Sequence, residues 1–137
     1  MSRCLKNMCV ITVGATKGVI GHIINCNSEI RSILGFLRRD IVGQTIYKLM
    51  PKSYYELHDS LVEGFISCPD KVISTRNTKF QTLVLDSRGF VRMCLQLIRI
   101  SPSIEHGFKF ISFCELKKEE ENVRFSYVVY SEPSMQI

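Results

Sequence analysis

The side chains in this sequence that could do chemistry are a histidine, a few carboxylates and the cysteines. His58 lies in a predicted helix, and a neutral imidazole can ligate iron when its second nitrogen is fixed by a hydrogen bond. Asp40, Asp59 and Glu63 suggest an acid/base set, but they fit a solvated helical face better. The sequence has no Ser-His-Asp order, phosphate-binding loop or G-x-G-x-x-G motif, so it does not predict an enzyme.

The six cysteines are predicted to be free thiols. There is no C-x-x-C pair, and Cys9, Cys26, Cys94 and Cys114 lie among Val, Ile, Leu and Phe, where free cysteine packs as a small apolar residue. The segment Met1–Val13 does not have the pattern of a signal peptide. We therefore expect reduced thiols in a cytoplasmic setting, with a disulfide framework or a zinc site as the alternative.

Length and charge exclude several classes of protein. A chain of 137 residues, 45% hydrophobic and 23% charged, is typical of one globular domain. No window approaches 18 uninterrupted apolar residues, so direct insertion into a membrane is not predicted. The net charge of +5 comes from basic residues scattered between Arg3 and Arg124 rather than clustered with aromatic residues, so no nucleic-acid partner is expected.

The first half of the chain predicts a hairpin followed by helices. Met8–Val13 and Val19–Ile24 are β-type runs on either side of a turn. Asn27 is predicted to cap a short helix that ends at Gly35. A longer helix is expected from Ser53 to about Ile66, and its apolar stripe consists of Tyr54, Leu57, Leu61 and Phe65.

The second half predicts three antiparallel strands, over residues 80–85, 91–100 and 108–116, with a turn at Asp86–Gly89. The predicted fold class is therefore α+β, a five-stranded antiparallel sheet with several short helices packed on one face. The interior faces leave either a fully packed core or a cavity for a small apolar ligand. The residues expected to line that cavity are Ile46, Leu57, Leu61, Met93, Leu95, Phe110 and Cys114.

An ordered set of short motifs between about Cys9 and Leu116 resembles a PAS domain. The motifs are Gly21-His-Ile-Ile-Asn-Cys-Asn27, Gly35-Phe36, Ile41-Val42-Gly43, Leu49-Met50-Pro51 and His58-Asp59, followed by the Asp86–Gly89 turn before two long strands. Each motif is weak alone, and the order at these spacings is what carries the resemblance. The pattern is most similar to PAS segments of large membrane proteins of ciliates and other protists and, more distantly, to haem-binding PAS oxygen sensors.

The resemblance implies a non-enzymatic sensory or interaction module within a larger signalling or membrane-associated protein. Such a module makes contacts with protein partners or with itself. The alternative that the resemblance implies is a gas or redox sensor with His58 as the axial ligand of a haem. Haem sensors of this kind carry arginines where Gly64 and Phe80 stand here, so no cofactor is expected. Flavin-binding relatives carry a reactive cysteine inside a helix, whereas Cys26 ends a predicted strand and is expected to pack in the core.

We expect residues 1–118 to form the single domain and residues 119–137 to be a C-terminal extension. The run Val123–Tyr130 in that extension is again β-type. It is an added strand, a dimer contact, a linker or the start of a second module.

Overall fold

A five-stranded antiparallel sheet forms the framework of the protein. The computed structural model describes residues 7–16, 18–67, 79–103 and 107–116, so the predicted extension at 119–137 lies outside the described residues. The strands are β1 (Cys9–Gly14), β2 (Ile23–Cys26), β3 (Phe80–Leu85), β4 (Val91–Ser103) and β5 (Gly107–Leu116). Their order across the sheet is β2-β1-β5-β4-β3, so the first and last of these strands pair with each other in the middle. The predicted fold class is confirmed.

The middle of the chain supplies the helices: α1 (Glu29–Leu34), α2 (Arg38–Ile41) and α3 (Tyr55–Ser67). Two 3-10 turns, Ile46–Leu49 and Lys52–Tyr54, connect α2 to α3. The expected end of α1 is present, since Gly35 has a φ of 81° and its N–H donates to the Arg31 carbonyl. No helix in the described part of the chain has the length and apolar character needed to span a membrane.

The register of the strands assigns each residue to one face of the sheet, because residues directly opposite each other in antiparallel strands share a face. Cys9 pairs with Cys114, and Val13 with Phe110. All four are buried and face the helices, so we call this the inner face. The core consists of inner-face residues together with Ile23, Ile30, Ile33, Leu34, Phe36, Ile41 and Leu49.

The second strand begins later than the sequence predicted. The expected run was Val19–Ile24, but pairing with β1 covers Ile23–Cys26. The preceding residues form turns, in which the Val19 N–H donates to the Thr16 carbonyl at 3.1 Å and the His22 N–H donates to the Val19 carbonyl at 3.0 Å. Branched residues there favoured a strand locally, but these turn bonds satisfy the backbone instead.

The predicted capping role of Asn27 is wrong. The N-cap of α1 is Ser28, and it makes no side-chain capping bond. Asn27 faces β1 instead: its Oδ1 accepts from the Val10 N–H at 3.1 Å, and its Nδ2 donates to the Met8 carbonyl at 2.9 Å. The side-chain amide therefore replaces one step of backbone pairing where β2 leaves the sheet. Sequence reasoning cannot separate the two roles, because both need a side-chain oxygen at the same place.

Candidate functional site

A cleft opens between α3 and the 3-10 turn Ile46–Leu49, and we call it the α3 cleft. Its volume is about 290 Å³. Three parts of the chain that are distant in sequence form its walls. The residues that line it are Ile20, Gly21, Thr45, Ile46, Tyr47, His58, Asp59, Val62 and Glu63.

Backbone contacts fix the two walls of the cleft that do not belong to α3. The Ile46 N–H donates to the Gly21 carbonyl at 2.7 Å. One residue away on each side, His22 and Thr45 form an isolated antiparallel bridge. The segment before β2 and the 3-10 turn are therefore held together without help from the cleft side chains.

Tyr47 is the best-positioned side chain of the cleft. Its ring stacks on the ring of Tyr55, with centroids 4.1 Å apart and an interplanar angle of 16°. The Tyr55 hydroxyl donates to the Tyr47 carbonyl at 3.2 Å, and the Tyr47 hydroxyl donates to the carboxylate of Asp59. The hydrogen bond to Asp59 favours the protonated phenol and so raises the pKa of Tyr47. The aromatic ring and the carboxylate are thereby joined into one rigid unit.

His58 presents a buried nitrogen that lacks a hydrogen bond. Its side chain is 30% exposed, but Nδ1 itself has no solvent contact and no hydrogen-bond partner among the described residues. The nearest carboxylate oxygen is Oδ1 of Asp59, at 3.6 Å, which is too long for a hydrogen bond. The ring of Tyr47 meets the imidazole edge-on, with centroids 6.4 Å apart. A buried nitrogen without a hydrogen bond is destabilising.

The structure brings some of the sequence-derived candidates together and separates others. His58 and Ile46 line the same cleft, together with Asp59 and Glu63. Asp40 is exposed on α2 and does not line the cleft, so the three carboxylates are not one set. Sequence reasoning missed Tyr47. It is an aromatic residue in a segment without regular apolar periodicity, so nothing else in the local pattern indicates its role.

Two predicted cavity residues on α3 are misplaced. Leu57 is 62% exposed and Leu61 is 51% exposed, so neither lines a cavity between the sheet and the helices. The half-buried side chains of α3 include Tyr55, His58 and Val62, and they follow the same helical spacing. The sequence predicted that the more apolar stripe of α3 is buried, whereas in the structure the half-buried stripe is the one that carries His58.

Two predicted cavity residues on β4 lie on the other face of the sheet. Cys94 is fully buried on the inner face, so its neighbours Met93 and Leu95 point to the outer face. The predicted cavity-lining role of Met93 and Leu95 is wrong. The sequence shows that side chains alternate along β4, but the pairing with β5 decides which set faces the helices. Phe110 and Cys114 are on the inner face as expected, where they are buried in the core.

The described cysteines are core residues. Cys9, Cys26, Cys94 and Cys114 are all free and buried. Burial raises the pKa of the Cys9 thiol and also that of Cys26, so neither resembles a reactive thiolate. Within the described ranges, no group of three or more His, Cys, Asp or Glu side chains is arranged to hold a metal ion.

The residues around His58 do not fit a haem. The α3 cleft, with a volume of about 290 Å³, is at the lower end of the range for pockets that hold drug-sized ligands. Its lining carries the carboxylates of Asp59 and Glu63 and, among the described residues, contains no Arg or Lys, so the negative propionates of a haem would meet like charge. Gly64 and Phe80, which stand where haem sensors carry arginines, supply no cation.

Comparison with solved structures identifies the architecture. The PAS domain of the fruit-fly ELK potassium channel aligns with a TM-score of 0.57 and 16% identity, over 81% of this chain and 87% of that one. The chain has the PAS fold. A PAS domain in complex with ethanol, from a LuxR-family transcriptional regulator of Burkholderia thailandensis, aligns with a TM-score of 0.54 and 16% identity, over 82% and 91% of the two chains.

A further structural neighbour is a longer protein. A blue-light activated histidine kinase of Erythrobacter litoralis aligns with a TM-score of 0.55 and 12% identity, over 86% of this chain and 35% of the kinase. No family model matches this chain, and no curated protein does. At these identities the likeness establishes the fold and leaves the role to the residues.

Proposed function

We propose that this PAS-fold chain is a non-enzymatic sensory and interaction module, and that the outer face of its sheet binds a second copy of the chain. Its structural neighbours include parts of a channel, a transcriptional regulator and a sensor kinase, which supports a signalling role. The observation that carries the proposal is the composition of the outer face, the side of the sheet opposite the helices.

The outer face is a continuous apolar surface. Leu97 pairs with Phe113, and Val10 pairs with Phe113 from the other side, so these three side chains form a row across the central strands. All three are half-buried. The other apolar members of this face are Leu83, Leu85, Val91, Met93, Leu95 and Ile111. Exposed apolar patches rimmed by polar residues commonly mark protein contacts.

A groove of about 290 Å³ lies within this face and carries charges at its two ends. Arg99 is at one end, opposite Ile111, and Glu115 is at the other, opposite Leu95. Lys79 lies 3.4 Å from Glu115 and forms an exposed ion pair with it. The apolar centre therefore has the guanidinium of Arg99 on one side and the Lys79–Glu115 ion pair on the other.

This arrangement is self-complementary. In the proposed dimer, two copies stack with their outer faces together. A two-fold axis between the two faces, perpendicular to the strands and level with Leu97, relates the copies. The strands of the second copy then run in the opposite direction to those of the first. Because Arg99 and Leu95 are each two residues from Leu97, Arg99 of one copy then lies above the Leu95–Glu115 pair of the other. Apolar contacts form at the centre of this interface, and two Arg–Glu pairs form at its ends. The charges thus favour a second copy over a partner of uniform charge.

Sedimentation equilibrium of the full chain tests the proposal. We expect a monomer–dimer equilibrium, and Leu97→Lys should weaken it at least tenfold, because the substitution places a charge at the apolar centre. Leu57→Lys is the matched control, since it changes an exposed leucine on α3 by the same chemistry. A monomer at concentrations up to about 1 mM, where an association of about 4 kcal/mol is visible, contradicts the proposal. Equal weakening by both substitutions also contradicts it.

A further inference from the structure

The edge of the sheet at β3 is open, whereas the edge at β2 is covered. At β2, the Ile23 N–H donates to the Gln44 carbonyl and the Ile23 carbonyl accepts from the Gly43 N–H, both at 2.8 Å. The Arg38 Nε donates to the Cys26 carbonyl at 3.0 Å. Among the described residues β3 pairs only with β4, so its other side has no backbone partner there.

The register identifies the backbone groups that face the open edge. The Asp86 N–H donates to the Phe90 carbonyl at 2.9 Å, so it points toward β4. Because the direction of the backbone groups alternates along a strand, the N–H and carbonyl groups of Gln81, Leu83 and Leu85 point away from β4. Such a row of donors and acceptors is a template for one more strand.

The sequence of β3 lacks the features that keep an edge strand from pairing. Natural edge strands are commonly protected by Lys, Pro or a bulge. β3 reads FQTLVL, with no Pro, Gly or charged residue, and its register with β4 is continuous. Phe80 lies on the inner face opposite Gln96, yet it is 44% exposed because nothing in the described part of the chain covers it from the edge side. An unprotected apolar edge of this kind indicates that another strand covers it.

The sequence after β5 contains a run with the composition of such a strand. Residues 123–130 read VRFSYVVY, with no Pro, Gly or acidic residue. β-branched and aromatic side chains favour an extended backbone. Arg124 and Ser126 alternate with the apolar Val123, Phe125 and Tyr127, which is typical of a strand with one apolar face. The run is eight residues long and β3 is six, so it can cover the whole edge.

The position where β5 ends allows this run to reach the edge. Leu116, the last residue of β5, lies opposite Cys94, which in turn pairs with Thr82 of β3. Three strand spacings separate β5 from a strand beyond β3, about 14 Å in all. Residues 117–122 can span up to about 20 Å. Because β5 and β3 run in the same direction, a chain that turns back after β5 enters the edge antiparallel to β3.

We propose that residues 123–130 form a strand antiparallel to β3 at its open edge. The opposite pairs are Val123–Leu85, Phe125–Leu83 and Tyr127–Gln81. These pairs exchange the backbone hydrogen bonds that the edge of β3 lacks among the described residues, and their side chains extend the apolar outer face. Val128 then lies opposite Phe80 and shields its ring. This assignment selects the added strand from the roles expected for the C-terminal extension, and it is independent of the proposed dimer, which uses the face of the sheet.

Amide hydrogen exchange of the full chain, followed by NMR, tests the inference. Phe125→Pro removes the N–H that donates to the Leu83 carbonyl, so we expect the edge-facing amides of β3 to exchange at least tenfold faster than in wild type. The amides of Thr82 and Val84, which face β4, should change less and show that the domain is folded. Gln136→Pro is the matched control, since it adds the same ring outside the run and should leave the exchange rates unchanged. In wild type, backbone NOEs should connect residues 123–127 to residues 81–85.

Three results contradict the inference: unprotected edge amides in wild type, the same exchange rates in the two Pro variants, or protection that is lost on dilution. The last result assigns the edge to a second copy. Repeating the measurement on Leu97→Lys separates the inference from the proposed function. If the edge amides of that variant stay protected, the added strand stands whether or not the outer face dimerises. If the chain dimerises as expected but its edge amides are unprotected, only the added strand is wrong.

Discussion

The carboxylate of Asp86 is the most buried acidic group among the described residues, at 5% exposure, and it organises the turn between β3 and β4. It accepts from the N–H groups of Arg88 and Phe90, each at 2.9 Å. Burial by itself raises the pKa of this carboxyl, but the two amide bonds and the Arg88 guanidinium outweigh it, so the pKa of Asp86 is lowered. The Ser87 N–H also donates to the Leu34 carbonyl at 2.8 Å, which ties this turn to the end of α1.

We predict that Asp86→Ala lowers the free energy of unfolding by about 2 kcal/mol at pH 7, because two part-buried amides lose a charged acceptor. A carboxyl with a lowered folded-state pKa stabilises the fold above its unfolded pKa of about 3.9, and this contribution is lost as the pH falls through the folded value. The difference between wild type and variant should therefore shrink below about pH 4 in urea unfolding experiments. Asp86→Asn, which keeps an acceptor oxygen, is the control and should cost less. A difference that is the same at pH 7 and pH 3 contradicts this account.

Residue types at turns could be predicted well, whereas their partners could not. Gly35 was expected to end a helix and Gly89 to close a turn, and they have φ values of 81° and 84°. A glycine indicates the backbone conformation at its own position, so this signal is local. Asn27 was expected to bond forward to a helix but bonds across to β1. Its partner depends on which strand lies beside it, and a single sequence does not contain that information.

The secondary-structure elements show the same division between local pattern and tertiary contact. The strands β3, β4 and β5 and the helix α3 were predicted close to their observed bounds, because periodicity and turn residues are local signals. The side that each element buries was not always predicted. On α3 the stripe through Leu57 and the stripe through His58 have the same spacing. On β4 the choice between the two faces depends on register with β5, and a shift of one residue exchanges them.

We predict that Val62→Ala lowers the free energy of unfolding by about 1 kcal/mol, whereas Leu57→Ala changes it by less than about 0.5 kcal/mol. Val62 packs against the core, and Leu57 is 62% exposed. Equilibrium urea unfolding of the two variants measures the difference. The leucine loses more apolar atoms than the valine, so the opposite ranking is expected if α3 buries the Leu57 stripe. That ranking contradicts the orientation of α3 and, with it, the lining of the α3 cleft.

The protein as a whole combines two surfaces on opposite sides of one sheet. The helical side carries the α3 cleft, with its carboxylates and aromatic ring. The other side is the apolar outer face, with Arg99 and Glu115 at the ends of its groove. The central strands β1, β4 and β5 contribute to both sides, because alternate residues of each strand point in opposite directions. The proposed function assigns the binding of a second copy to the outer face.

The most direct test of the outer-face interface is charge reversal followed by mixing. Arg99→Glu alone places Glu against Glu115 of the other copy, and Glu115→Arg alone places Arg against Arg99. Each variant should therefore dimerise at least tenfold more weakly than wild type, with unchanged circular dichroism. In an equimolar mixture both end contacts become attractive pairs, so the account predicts that sedimentation equilibrium recovers a heterodimer close to wild-type affinity. Single variants that dimerise as wild type does, or a mixture no more associated than its components, contradict the proposed interface.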